Sequence, residues 1–417
     1  MPAEPDAPPA EHRAPPARCP EPPWWGGALR RLLVASFTAI ARSRFRVRAS
    51  GLEHFTNRPA TIFVSSHKSD WDLAVLCPTI YRARRGRGPV GRTAFAAAEP
   101  MFQPGYLASY VLGGRRPLCR LLHPLDLERV LFAMRAYPVP ASSRRQLRAH
   151  LRTAASDWGD PPLGELLREP AELLPGSDPD ESAGQALRYR HRPALDHQRG
   201  FSIFTDPWRR NLRAHHLAHI EHCLERFREL LRRGDDLFLA PEGRLNATGR
   251  PAGVRAGLAR LALGLGREVT LLPVNITYDW LTTGRPGAFL RAGPELRGVD
   301  RWTRDELEER VTAAIARQTT VTLGQIVTEL VSPNELVDSP ALRDRALVRA
   351  RELAQRGVAV DPDLLDPARG RHRWRRLIAA TKRPTRAPGF DPWTCAANEL
   401  RTALAWGAEG WRLEAGG

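Results

Sequence analysis

From residue 45 onward, short apolar runs alternate with longer stretches whose apolar residues recur every three or four positions. The runs are Phe45–Val47, Thr61–Val64, Ala136–Val139, Asp236–Ala240 and Leu271–Thr277. Their length and their β-branched and aromatic content predict strands. Leu73–Arg82, Arg144–Ala154, Leu212–Arg233 and Gly253–Leu265 carry a helical period between them. Apolar strands separated by amphipathic helices predict an α/β fold, a mostly parallel sheet flanked by helices. Ligands in such sheets gather beyond the carboxyl ends of the strands, so the residues just after each run are where chemistry is expected.

The remaining stretches divide the chain. Residues 1–23 are rich in Pro and Ala with interspersed charges, which predicts a disordered tail; they lack the apolar core of a secretory signal. Trp24-Trp25-Gly26-Gly27 leads into Ala28–Arg44, a predicted helix with arginines at both ends. Two readings of it stand: a helix at a membrane interface, and a core helix with exposed arginines. Residues 82–125 are rich in Gly, Arg and Pro, and residues 157–198 contain Pro161-Pro162 and the polar run Pro175–Glu181. Both are expected to be insertions or long loops within an α/β domain spanning 24–305. From Thr303-Arg304-Asp305-Glu306, an N-terminal capping pattern, a helical region over 306–417 is expected, broken by Pro- and Gly-rich joints. There is no internal repeat.

Composition narrows the partners. Hydrophobic content of 42% supports a real core and excludes global disorder. The formal charge of +17 attracts phosphates, whether in nucleic acid, anionic lipid or small molecules. All of that basic charge except Lys68 and Lys382 is arginine, a bias that coding composition can also produce. Nucleic-acid binding would rest on charge alone, without a recognition motif, and is not expected. The longest apolar stretch, Leu32–Ala41, is bounded by Arg31 and Arg42 and falls well short of the ~18 residues that span a bilayer. Five cysteines without a C-x-x-C pair suit a reducing compartment, hence a cytoplasmic location, and the interfacial reading of Ala28–Arg44 adds peripheral association with the membrane. His215, His216, His219 and His222 lie on one predicted helix, but no H-E-x-x-H pattern and no third ligand accompany them. A solvated face is favoured and no metal is expected.

Two segments carry candidate chemistry. Ser65-Ser66-His67-Lys68-Ser69-Asp70-Trp71-Asp72 follows the run ending at Val64. A histidine there is a base of tunable pKa, and a carboxylate five residues on can fix its tautomer and stabilise its charged form. A five-residue step does not align two side chains on a regular helix, so a turn must bring them together. The competing reading is a capping box between Ser69 and Asp72, with His67 an ordinary loop residue. The second segment is Pro241-Glu242-Gly243, after the run ending at Ala240, continuing through Arg244, Thr248-Gly249-Arg250 and Gly253. Glycines let backbone N–H groups approach a phosphate while arginines supply charge; taken alone, the piece reads equally as a surface turn.

His67 to Asp72 resembles the H-x4-D motif of the glycerolipid acyltransferases, the family of lysophosphatidic acid and glycerol-3-phosphate acyltransferases. Pro241-Glu242-Gly243 resembles the start of that family's FPEGTRS block, and Thr248-Gly249-Arg250 the close of the EGGRSRTGR form of its glycerol-3-phosphate branch. Leu272-Pro273-Val274 resembles the family's last proline-containing strand, and Ala288-Phe289-Leu290-Arg291-Ala292-Gly293-Pro294 its closing strand and turn. For the middle block, G-x-I-x-x-x-R, there are two candidates: Arg135–Pro140 followed by Arg144 and Arg145, which is preferred, and Gly113-Gly114-Arg115-Arg116. The resemblance covers about residues 28–315. Two features depart from the pattern: Leu245 stands where the family has an arginine, and 175 residues separate His67 from Glu242.

The resemblance implies direct acyl transfer. His67 would take the proton of an acceptor hydroxyl as it attacks a thioester carbonyl, with Asp72 orienting the imidazole; no covalent nucleophile and no cofactor are implied. Glu242 and Gly243 would shape the acceptor site, Arg244 and Arg250 would clamp a phosphate, and Lys68 would contact a phosphate or headgroup. The implied partners are an acyl-CoA or acyl-carrier-protein thioester, a glycerol-phosphate or lysophospholipid-like hydroxyl acceptor, and a membrane surface. The shifted arginine motivates an alternative in another class, a degenerate domain that docks on anionic membranes through its basic surface.

Overall fold

In the computed structural model, the residues described are 25–55, 58, 60–84, 93–102, 106, 127–140, 145–187, 192–195, 197–243, 245–246, 248–265, 269–381 and 390–407. The chain forms two compact units. One is made of 22–96, 129–137 and 230–417 and holds the large sheet; the other is made of 97–128 and 138–229 and is mostly helical.

The sheet has seven strands: β1 (Arg46–Ser50), β2 (Thr61–Ser65), β3 (Thr93–Ala98), β4 (Ala136–Val139), β5 (Asp236–Leu239), β6 (Thr270–Tyr278) and β7 (Gly287–Ala292). Their order is β1-β7-β6-β2-β5-β3-β4. β1 runs parallel to β7, and β2 parallel to both β5 and β6; β3 is parallel to β5, while β6 and β7 are antiparallel. The expected α/β class with a mostly parallel sheet flanked by helices is the one observed. All five residues of β2 are buried, as a central strand covered on both faces requires, and this explains its unbroken apolar run.

Ten helices matter below: α1 (Gly26–Arg44), α2 (Asp72–Arg84), α3 (Leu147–Asp157), α4 (Trp208–Arg232), α5 (Ala256–Leu265), α6 (Arg304–Arg317), α7 (Leu323–Leu330), α8 (Pro340–Gln355), α9 (Pro367–Thr381) and α10 (Pro392–Gly407). Residues of α1 and α2 pack with β2, β6 and β7 in one apolar cluster that includes Phe45, Phe55, Phe63, Leu76 and Leu290. Truncating a buried phenylalanine such as Phe63 to alanine typically costs about 3–5 kcal/mol. Among the described residues no helix is long and apolar enough to cross a membrane.

Three elements differ from the sequence expectation. Phe45 ends α1, its N–H bonding to the Ala41 carbonyl, so β1 begins one residue later. β3 lies inside the stretch expected to be an insertion; its residues Thr-Ala-Phe-Ala-Ala-Ala carry too little β-branched character to signal a strand. In the helical unit, residues 157–198 contain the single-turn helices Leu163–Leu166, Pro170–Leu173 and Ala183–Ala186. Leu163, Leu166, Leu167 and Leu174 join Leu147 and Leu151 of α3 in a common core. One-turn helices have no period to read, so their leucines looked like loop residues. His215 Nε2 of α4 sits 3.3 Å from Asp157 Oδ2, and His219 Nε2 sits 3.7 Å from Glu99 Oε1.

The C-terminal helices belong to the sheet unit. The capping pattern at Thr303 is present as a reciprocal box with Glu306, and Thr322 with Gln325 forms another at the start of α7. An ionic network ties these helices to the sheet. Arg48 of β1 reaches Asp361 Oδ1 at 3.1 Å and Asp363 Oδ1 at 2.6 Å. Arg373 of α9 is almost fully buried and bonds Asp361, with Asp279 at 3.9 Å. Burial pushes the Asp279 carboxyl up to about 7 from an ordinary 3.8, and the nearby Asp361 charge adds to the rise. Between those values the folded protein holds the proton that the unfolded chain has released, so this group's contribution to stability falls as pH rises through the window. Asp279→Asn is therefore expected to gain in melting temperature relative to wild type as pH rises from about 5 to about 8. A difference that stays constant with pH would show Asp279 ionised throughout, held by Arg373.

Candidate active site

Two neighbouring parallel strands aim the two motifs at one edge. Val64 of β2 pairs with Leu239 of β5, and His67 and Glu242 each follow three residues later. Both therefore emerge beyond the carboxyl ends of adjacent strands. The loops are stitched together there: the N–H of Asn246 donates to the His67 carbonyl at 2.6 Å. Gly243 makes the turn after Glu242 with φ of 62°, a region that favours glycine.

His67 Nδ1 lies 2.9 Å from Asp72 Oδ2. The same oxygen accepts the N–H groups of Lys68 at 2.8 Å and Ser69 at 3.1 Å, and Oδ1 accepts the Tyr278 hydroxyl at 2.7 Å. Four donors thus converge on one buried carboxylate. The bond from the Ser69 N–H is half of the capping box that competed with the functional reading; the Ser69 hydroxyl itself accepts from the Trp71 N–H at 3.2 Å. The capping bond and the histidine contact use the same oxygen, so the two readings are compatible. A carboxylate that only accepts puts the neutral imidazole's proton on Nδ1 and leaves Nε2 as the basic nitrogen.

The His67 side chain keeps 37% of its surface exposed while that of Asp72 keeps 6%, so the ring is accessible but its anchor is not. Burial pushes the imidazole pKa down; the hydrogen bond and charge of Asp72, helped by Asp70 and Glu242, outweigh it, and the net shift is upward. Glu242 is buried and its carboxyl is also raised, chiefly by desolvation, against the pull of Asn246, the Ala252 N–H, Lys68 and His67.

Beside these residues lies a cavity of about 40 Å³. Its walls include Ser66, Lys68, Glu242, Arg250, Asn275 and Thr319, with Glu399 and Thr402 from α10. Three of these walls are joined by a polar chain: Ser66 Oγ donates to Asn275 Oδ1 at 2.7 Å, and Asn275 Nδ2 to Thr319 Oγ1 at 2.9 Å. Lys68 Nζ is 2.7 Å from Glu399 Oε1, and Gln325 Nε2 donates to Glu399 Oε2 at 2.6 Å. Arg250 Nε donates to Asn398 Oδ1 at 3.3 Å, while Asn398 Nδ2 donates to the Thr248 carbonyl at 2.9 Å. Gly249, with φ of 73°, lies so close to the Cys395 carbonyl of α10 that a Cβ there would overlap it.

Of the residues singled out in the sequence, His67, Asp72, Glu242, Gly243, Lys68 and Arg250 lie along this edge, and Arg244 lies outside the described residues. Arg135, from the preferred middle block, sits elsewhere: it bonds Asp235, which precedes β5 and so marks the opposite end of the strand from Glu242. Gly113–Arg116 and Arg144 lie outside the described residues. Tyr278 and Glu399 were not anticipated. Tyr278 ends an apolar strand and reads as core, and Glu399 stands on a helix far along the chain with no local motif.

No protein family matches the chain, and no curated protein matches it. Among solved structures it is similar to the 1-acyl-sn-glycerophosphate (LPA) acyltransferase PlsC from Thermotoga maritima, at 14% identity over 70% of this chain and 86% of that one, with a TM-score of 0.33. At that score the likeness is too loose to transfer an activity or a residue's role.

Proposed function

We propose that the sheet unit is an O-acyltransferase that moves an acyl group from a coenzyme A or acyl-carrier-protein thioester to an acceptor hydroxyl. The observation that carries this reading is the pairing of His67 Nδ1 with a saturated, buried Asp72, which leaves an accessible Nε2 beside the Glu242 loop. Nε2 takes the hydroxyl proton as the acceptor oxygen attacks the thioester carbonyl; collapse of the tetrahedral intermediate expels the thiolate, which takes the proton back from the imidazolium. Asp72 holds the ring and stabilises its charge between those steps, and Tyr278 holds Asp72. Glu242 and the Gly243 turn form one wall of the acceptor site. No cysteine is needed: Cys77 and Cys395 are buried, and burial pushes their thiols far above neutral pH.

The reading includes peripheral attachment to a membrane. α1 leaves Leu32 63% and Ile40 40% exposed, with Arg31, Arg42 and Arg44 also exposed on the same helix. Apolar side chains beside arginines suit an anionic lipid surface.

Purified protein given a long-chain acyl-CoA and a panel of glycerol-based acceptors is expected to form ester, and His67→Ala to lose about 10²–10⁴-fold in rate. Ester formation at equal rates by both proteins, or by neither, would remove the reading. In sedimentation with vesicles, wild type is expected to bind anionic rather than neutral lipid, and Leu32→Glu to bind more weakly at unchanged salt. Equal binding by the two proteins would place the contact elsewhere.

A further inference from the structure

α10 does more than pack within the sheet unit, because it supplies groups that engage both described cations of the cavity. Lys68 and Glu399 form a pair at 2.7 Å with side-chain exposures of 10% and 4%, so the ammonium is committed and shielded. Glu399 is itself saturated, its second oxygen taken by Gln325. Arg250 is engaged at Nε by Asn398 of the same helix. Facing these two cations among the described lining residues are two acids, Glu242 and Glu399, so the described lining carries no excess of positive charge. Glu242 Oε2 is buried and accepts no hydrogen bond among the described residues.

A phosphate monoester would bring close to two negative charges to this place. It would need a committed cation to break its pair, and it would sit between two carboxylates at short range, where like charges cost most. A neutral hydroxyl suits the same walls, because it brings no charge to the two acids and meets the hydroxyl and amide groups of Ser66, Asn275 and Thr319. At about 40 Å³ the space is a few times the ~10–15 Å³ that one water needs, room for a hydroxymethyl end.

Building on the acyltransferase reading above, we propose that α10 is a specificity element: through Glu399 it offsets the charge of Lys68 and through Asn398 it holds Arg250 at Nε, so that the acceptor is an uncharged polyol hydroxyl of the monoacylglycerol type and not a phosphate ester. Leu245, where the resembling family carries an arginine, agrees with this choice.

The test compares kcat/KM for 1-acylglycerol, glycerol 3-phosphate and lysophosphatidate with one acyl-CoA, in wild type, Glu399→Gln and Asn398→Ala. Wild type is expected to favour 1-acylglycerol by about tenfold or more. Glu399→Gln should narrow that preference several-fold, mainly through a lower KM for the phosphorylated acceptors, because Lys68 is released. Asn398→Ala, which frees Arg250 without touching the buried pair, should move the ratio the same way and keeps the test decisive if Glu399→Gln does not fold. Phosphorylated acceptors used as well as the neutral one by wild type, or a ratio unmoved in the folded variants, would overturn the proposal while leaving acyl transfer intact. Absence of His67-dependent ester from every acceptor would instead overturn the acyltransferase reading, and this proposal with it.

Discussion

The edge of the sheet is organised by one carboxylate. Asp72 gathers donors from the strand-to-helix turn, from His67 and from Tyr278 at the end of β6. A buried carboxylate left with fewer partners would carry an uncompensated desolvation penalty. With four donors it is satisfied, and in being satisfied it fixes the turn, starts α2 and sets the imidazole. The register of β2 against β5 then delivers Glu242 to the same edge.

Much of this was legible in the residues alone. Ile62–Val64 and Leu237–Ala240 are apolar runs, the first on a strand buried throughout and the second on a strand buried at its start, and the turns after them carry His67 and Glu242. What stayed hidden lacked a local signature. β3 is written mostly in alanine, and the leucines of 157–198 lie in single turns too short to show a period. Tyr278 reads as one more apolar strand position until Asp72 is seen across from it. Glu399 and Asn398 could not be placed from sequence, because no spacing rule links α10 to a loop some 150 residues earlier. Arg135 illustrates the reverse error: a basic residue in a motif-like setting is an ion-pair partner of Asp235 at the far end of the strand.

The C-terminal helices appear in sequence as an appendage, yet the network of Arg48, Arg373, Asp361 and Asp363 holds them to β1, and α10 closes the cavity. Buried ionic networks contribute little net stability compared with apolar packing, but breaking one member is costly. Such a network fixes position more than it adds stability.

The central claim is that His67 is the base and that Asp72 sets its basicity. The pH dependence of kcat/KM for thioester-dependent acyl transfer, in wild type and in Asp72→Asn, tests it most directly. The account predicts a wild-type rate that rises with pH through a midpoint above 6.5, since the imidazole must be neutral to accept a proton and its pKa is raised. In Asp72→Asn the midpoint should move down and the plateau should fall steeply, because the wrong imidazole nitrogen is left to accept. The same midpoint in both proteins, or a rate that falls with rising pH over that range, would contradict it.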